Sequence, residues 1–209
     1  MTPTIPDAGG KSESAGSDSW AEKTARMFVA VLLPEKVADL IEAIARPMVP
    51  GVRWTRRDQW HVTLRFLGKA EIDEVQTALS GLQHERVLVR LGPRVERLGR
   101  HVVALPAEGL EALAARVSEL TAHLGKPPER RPFMGHVTLA RVKGGRLPLV
   151  GTELSAEFVA EAVFLMRSRL SPAGAHYEPL QKIALGPSTQ GHQAGQPSRS
   201  SRRAAEFMQ

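Results

Sequence analysis

Hydrophobic positions along the chain fall into short runs of two kinds, and the kinds alternate. "MFVAVLL" from Met27 to Leu33 is a continuous apolar run with β-branched members and reads as a strand. After Pro34, Val37, Leu40, Ile41 and Ile44 recur at helical spacing as far as Pro47. "WHVTLRFL" predicts a second strand, and Ile72, Val75 and Leu79 share one face of a helix over about 71–82. Strands follow at "RVLVRL" and "HVVALP", then a helix from about Leu110 to Leu124 with Gly125 as its C-cap. Beyond the loop "GKPPERRP" come a strand "HVTLARV" and two more, at about Glu157 to Arg167 and Tyr177 to Leu185, joined by the turn-rich "SPAGAH". Three helices spaced among many strands predict α+β layers.

The flanks have no such pattern. Residues 1–25 and 188–209 are rich in Ser, Gly, Pro and charge, which leaves too little apolar surface to order a segment. The expected organisation is a disordered tail over 1–25, one domain over 26–187 and a second disordered tail over 188–209. The apolar run at 27–34 is too short to span a bilayer and follows a segment of mixed charge, so the expectation is a soluble, unexported, cytoplasmic protein.

One tetrapeptide occurs twice, as "WHVTLRFLG" from Trp60 and as "GHVTLARVKG" from Gly135. In a strand, residues i and i+2 share a face. His61 therefore projects with Thr63 and His136 with Thr138, while Val62, Leu64, Val137 and Leu139 turn to the other, buried side. His84, His101, His123 and His176 lack this setting and read as structural, and His192 falls in the tail. Two imidazoles, each titrating near ~6.5, can form an acid and base pair, one neutral and one charged. The threonine hydroxyls can donate to oxygens that gain charge in a transition state. Phosphodiester cleavage needs those four roles.

Composition narrows the alternatives. The chain of 209 residues has no cysteine, which excludes disulfides, thiolate metal sites and cysteine nucleophiles. Neither HxT has a carboxylate at ligand spacing and no H-E-x-x-H occurs, so neither a metal nor another cofactor is expected. No G-x-S-x-G elbow or P-loop is present. The net charge is +6, and the tails, at −2 and +2, cancel, so the excess belongs to the central domain. Such a body suits a polyanionic partner, although an arginine-rich solvated surface would look the same.

At these residues the chain resembles the two-histidine phosphoesterases, and within them the RNA 2′,3′-cyclic phosphodiesterases first known as 2′,5′ RNA ligases. "RMFVAVLLP" is similar to the family's opening strand, "VRWTRRDQWHVTLRFLG" and "RPFMGHVTLARV" to its two motifs, and "SRLSPAGAHYEPL" to its closing hairpin. Gly135 stands where the family has proline before the second histidine, a change that could loosen the approach to that strand. The resemblance implies a bilobal α+β fold of pseudo-twofold form, with two antiparallel sheets facing a central cleft and helices outside. It implies metal-independent hydrolysis of RNA 2′,3′-cyclic phosphate ends to 2′-phosphomonoesters. His61 is the implied proton donor and His136 the proton acceptor, roles that nearly symmetric motifs do not distinguish by themselves.

RNA ends or small cyclic nucleotides are the expected partners, with no membrane and a monomeric protein. Arg53, Arg56 and Arg57 precede the first motif and Arg130 and Arg131 the second, so both approaches to the cleft carry candidate phosphate contacts. Phe133, Trp54 and Tyr177 are candidates for stacking on a base, with core packing as the competing role. Two alternatives remain open on sequence: a ligase or another phosphodiesterase of the same superfamily, and a non-catalytic RNA-binding module.

Overall fold

Met27, Val29 and Val31 face one way from the first strand and Phe28 and Ala30 the other, and all five are buried. A strand covered on both sides belongs at the centre of a sheet, which is why it reads as an unbroken apolar run. The computed structural model describes residues 23–44, 46–143, 149–172 and 174–187. Along the chain these form β1 (Thr24–Leu32), α1 (Glu35–Glu42), β2 (Val52–Trp54), β3 (His61–Glu71), α2 (Ile72–Ser80), β4 (Val87–Leu91) and β5 (Glu96–Leu98). Then follow β6 (Val102–Glu108), α3 (Glu111–Leu120), β7 (His136–Val142), β8 (Ala156–Ala160), β9 (Ala162–Ser171) and β10 (Gly174–Ala184).

The strand order is β10-β9-β1-β3-β7-β6-β4-β8, with β2 added to β7 and β5 to β6, and every pair of strands is antiparallel. The path divides into two four-stranded halves that meet at β3 and β7, the strands bearing the repeated tetrapeptide. That matches the α+β, pseudo-twofold arrangement expected, with each half contributing one antiparallel unit. Val37, Ala38 and Ile41 of α1, Val75 and Leu79 of α2, and Leu113, Ala114 and Val117 of α3 join one core with Met27, Val29, Val31, Val62, Leu64, Val137 and Leu139. The helices thus cover the valine and leucine side of the motifs. The histidine and threonine side carries none of the three.

Several elements differ from the sequence expectation. β1 begins at Thr24, inside the stretch assigned to a tail; the rest of that tail and residues 188–209 lie outside the described residues. α1 stops at Glu42, short of Pro47, and Leu40 is half exposed because Val37, Ala38 and Ile41 already fill the inward face. α3 ends at Leu120, so Gly125 is not its cap. Gly125 has φ +61, a Cβ there would run into the Leu67 carbonyl, and the next amide, of Lys126, donates to that same carbonyl at 2.7 Å. The glycine is where the α3 turn lies directly on β3. The single strand expected over 157–167 is two strands: β8 pairs with β4 in one half and β9 with β1 in the other, with exposed Glu161 between them. β2 and β5, three residues each, are too short for periodicity to register. Among the described residues no helix is long and apolar enough to cross a membrane.

Candidate active site

β3 and β7 meet at one registered pair, Val62 with Val137, both fully buried. Antiparallel geometry then sets His61 opposite Thr138 and Thr63 opposite His136, all four on the helix-free face. The outer strands repeat the symmetry. Thr63 is registered with Ala30 of β1 and Thr138 with Ala104 of β6, while His61 is registered with Leu32 and His136 with Pro106. Each threonine therefore has only a methyl group beside it on the outer strand, leaving room over the hydroxyls. His61 and His136 are diagonal cross-strand neighbours, a relation with a typical Cα separation of about 7–8 Å.

The two imidazoles are anchored alike. Nδ1 of His61 lies 2.8 Å from the Gln59 carbonyl and Nδ1 of His136 lies 2.9 Å from the Met134 carbonyl, each two residues upstream. A carbonyl only accepts, so each Nδ1 carries the proton and donates it, which leaves Nε2 as the working nitrogen of both rings. Nε2 of His61 accepts from the Thr63 hydroxyl at 3.0 Å. The His61 ring stacks on Phe28 at 4.7 Å and meets the edge of Tyr177 at 5.2 Å. This apolar setting pulls the His61 pKa down to about 4; positive charge on His136 adds to the effect and the Gln59 carbonyl opposes it. His61 is consequently neutral in the free protein at neutral pH.

A second link joins the motifs. The Thr55 hydroxyl donates to the carbonyls of Thr138 and Leu139, at 2.7 and 2.9 Å, and accepts from the indole N–H of buried Trp60 at 3.0 Å. Trp60 adjoins His61, so one side chain ties the start of the first motif to the backbone of the second. Sequence reasoning missed Thr55, which has no periodicity or motif to mark it. Gly135 is held closely too. The Ala107 amide donates to its carbonyl at 2.9 Å, and a Cβ at 135 would strike the Ala107 carbonyl. The glycine permits a tight approach of β6 to the second motif, contrary to the expected loosening.

The arginines ahead of the motifs are mostly engaged elsewhere. Arg57 forms ion pairs with Glu35, Asp39 and Glu42, the last two at 2.7 and 2.6 Å, and so pins the loop before β3 to α1. Arg56 pairs with Asp58 at 2.9 Å and Arg131 with Glu129. Arg53 lies with its guanidinium against Gly174 of β10, and Arg130 is exposed on the loop before β7. Phe133 and Trp54 pack against the main core, and the Trp54 indole donates to the Pro47 carbonyl at 3.1 Å. Tyr177 alone of the aromatic candidates reaches a catalytic candidate, His61. Among the described residues no group of three or more His, Asp or Glu side chains is placed to hold a metal ion.

Comparison with known proteins bears on the same elements. The family described as LigT like phosphoesterase matches residues 31–90 and 103–188, a span that includes both motifs. An RNA 2′,3′-cyclic phosphodiesterase of Thermus thermophilus is 34% identical over 185 residues, covering 77% of this chain and 90% of that protein. A protein of the same name from Bacillus subtilis is 24% identical over 179 residues, covering 76% and 95%. Among solved structures, a Thermus thermophilus protein is similar with TM-score 0.66 at 30% identity, over 78% of this chain and 98% of that one. Escherichia coli LigT complexed with 3′-AMP is similar with TM-score 0.63 at 26% identity, again over 78% and 98%.

Proposed function

The chain belongs to the LigT-like phosphoesterases, and from that membership and its paired histidines we propose that it hydrolyses RNA 2′,3′-cyclic phosphate ends to 2′-phosphomonoesters. The observation that carries the reading is the seam at Val62 and Val137, around which two anchored imidazoles and two hydroxyls share one face. In this reading the cyclic phosphate sits over Thr63 and Thr138, whose hydroxyls donate to its non-bridging oxygens. Nε2 of one histidine takes a proton from water as the water oxygen bonds to phosphorus. The other histidine, protonated on Nε2, gives its proton to the 3′ oxygen as the P–O3′ bond breaks. The product keeps the phosphate on the 2′ oxygen.

By family analogy His61 is the donor and His136 the acceptor. In the free protein His61 is neutral and takes the Thr63 hydroxyl on Nε2. For the donor role, the anionic phosphate must draw the Thr63 hydroxyl to itself and raise the His61 pKa. The depressed pKa favours a second assignment with the same bond changes, in which His61 is the acceptor and His136 the donor.

Incubating an oligoribonucleotide that ends in a 2′,3′-cyclic phosphate with the protein in EDTA tests the activity. A 2′-phosphomonoester product supports it. An unchanged substrate, or activity that returns only with a divalent ion, would overturn the two-histidine reading. We further propose that the described domain works as a monomer, which sedimentation or size-exclusion chromatography checks.

A further inference from the structure

Beyond Thr63, β3 changes phase. Ala30 is registered with Thr63 but Val29 with Arg65, so Leu64 is an additional residue opposite β1, a bulge. Arg65 is thereby turned to the helix side, where it is buried and donates to the carbonyls of Thr121, Leu124 and Lys126 at 2.9, 3.3 and 2.9 Å. Phe66 is turned to the side of the catalytic groups. There it joins Phe28, Ala30, Leu32, Phe164, Met166 and Tyr177 in a second apolar cluster, the one whose Phe28 and Tyr177 hold the His61 ring. The helix-free face thus runs without a break from His61 and Thr63 onto an aromatic floor.

Three cations stand on that floor. The Arg26 guanidinium is 4.6 Å and the Lys126 ammonium 5.6 Å from the Phe66 ring centre, and the Lys182 ammonium is 6.0 Å from that of Phe164. All three residues are exposed, and among the described residues none pairs with a carboxylate. In this they differ from Arg56, Arg57 and Arg131, each neutralised by an acidic neighbour. From Leu32, opposite His61, to Phe28, opposite Phe66, is four residues of strand, or about 13 Å. Arg26 lies further along the same line.

We propose that Phe66 and Phe164, with Arg26, Lys126 and Lys182, form a subsite for the nucleotides immediately 5′ of the reacting RNA end. Aromatic faces accept any base and unpaired cations accept backbone phosphates, the combination by which single strands are held without sequence preference. The proposal rests on the reading of the seam as a site for RNA cyclic phosphate ends, and it adds a reason for preferring a strand over a mononucleotide.

The test is the double variant Arg26→Gln, Lys126→Gln, first checked for an unaltered melting curve. kcat/KM is measured on a nucleoside 2′,3′-cyclic phosphate and on a short oligoribonucleotide with the same end. The ratio of oligonucleotide to mononucleotide efficiency is expected to fall about tenfold, and the salt dependence for the oligonucleotide to become shallower by about 0.7 per lost phosphate contact. A ratio and slope equal to wild type, or equal losses on both substrates, would overturn the subsite. If the wild-type protein hydrolyses neither substrate, the phosphodiesterase reading fails on its own. Fluorescence anisotropy of a labelled oligoribonucleotide then decides the subsite: about tenfold weaker binding by the variant at low salt supports it, and equal affinity overturns it.

Discussion

The Thr55 hydroxyl lies 2.7 Å from the carbonyl oxygen of Thr138, joining positions 83 residues apart. With the Trp60 indole donating to the Thr55 hydroxyl, it braces a seam that has only one registered residue pair. Thr55→Val keeps the shape and removes the hydroxyl's bonds to the Thr138 and Leu139 carbonyls and from the Trp60 indole. It is expected to lower kcat by about tenfold to 100-fold, since small misplacements of reacting groups carry costs of that order. KM should move little, and Thr55→Ser should recover most of the loss. Unchanged kcat in Thr55→Val would show that the valine pair alone sets the geometry.

His61→Ala and His136→Ala should each reduce turnover by about 100-fold to 10,000-fold, the usual contribution of a placed acid or base. Thr63→Ala and Thr138→Ala should be impaired less, each losing one donor to the phosphate. Steady-state rates with circular dichroism as a fold control check this. Near wild-type turnover in either histidine variant would refute the mechanism.

The two role assignments separate in an NMR titration. Free His61 should titrate at about 4. If it is the donor, bound 2′-phosphomonoester product should move that value up toward neutrality. A value that stays low in the complex assigns His61 as the acceptor and His136 as the donor.

Burial of neutral His61 also makes a pH signature in stability. Its folded pKa of about 4 lies below the ~6.5 of an unfolded chain, so between those values the unfolded state binds more protons. This contribution is fully present above ~6.5 and is lost as pH falls toward 4. His61→Phe keeps a ring against Phe28 and cannot titrate. Its melting temperature should therefore decline less than wild type over that window, and parallel declines would refute the depressed pKa.

Arg57→Gln should lower the melting temperature, with a smaller drop at high salt, because it removes the tie to Glu35, Asp39 and Glu42. A selective rise in KM for oligonucleotides would instead return Arg57 to RNA binding. We propose that residues 23–187 carry the full chemistry. A chain trimmed to that span should hydrolyse a nucleoside 2′,3′-cyclic phosphate as fast as the whole protein, and a lost rate would give the flanks a role.

The candidate constellation was legible because alternation within HVTL fixes which side chains share a face, and the buried valines hold that phase. The helices were legible from apolar spacing, although their ends were set by packing. Electrostatic roles were not legible. Arg57 and Arg26 look alike as letters, and only folding places three carboxylates by one and an aromatic ring under the other. Phe66 was hidden by the bulge at Leu64, since strict alternation from His61 assigns it to the wrong face. The β8 to β9 crossing was hidden because "AEFVAEAVFLM" contains no turn residue.

That crossing at Glu161 bears on how the protein is made. The half that holds His61 is assembled from both ends of the domain, β1 and β3 early and β9 and β10 last, whereas β4, β6, β7 and β8 lie between them in the chain. During synthesis, β1 has an unpaired apolar edge until β9 emerges, and His61 lacks its Tyr177 wall until β10 does. We propose that a nascent chain halted before residue 162, although it carries all four candidate catalytic groups, is inactive and prone to pair with other chains. Competence arrives with the final hairpin.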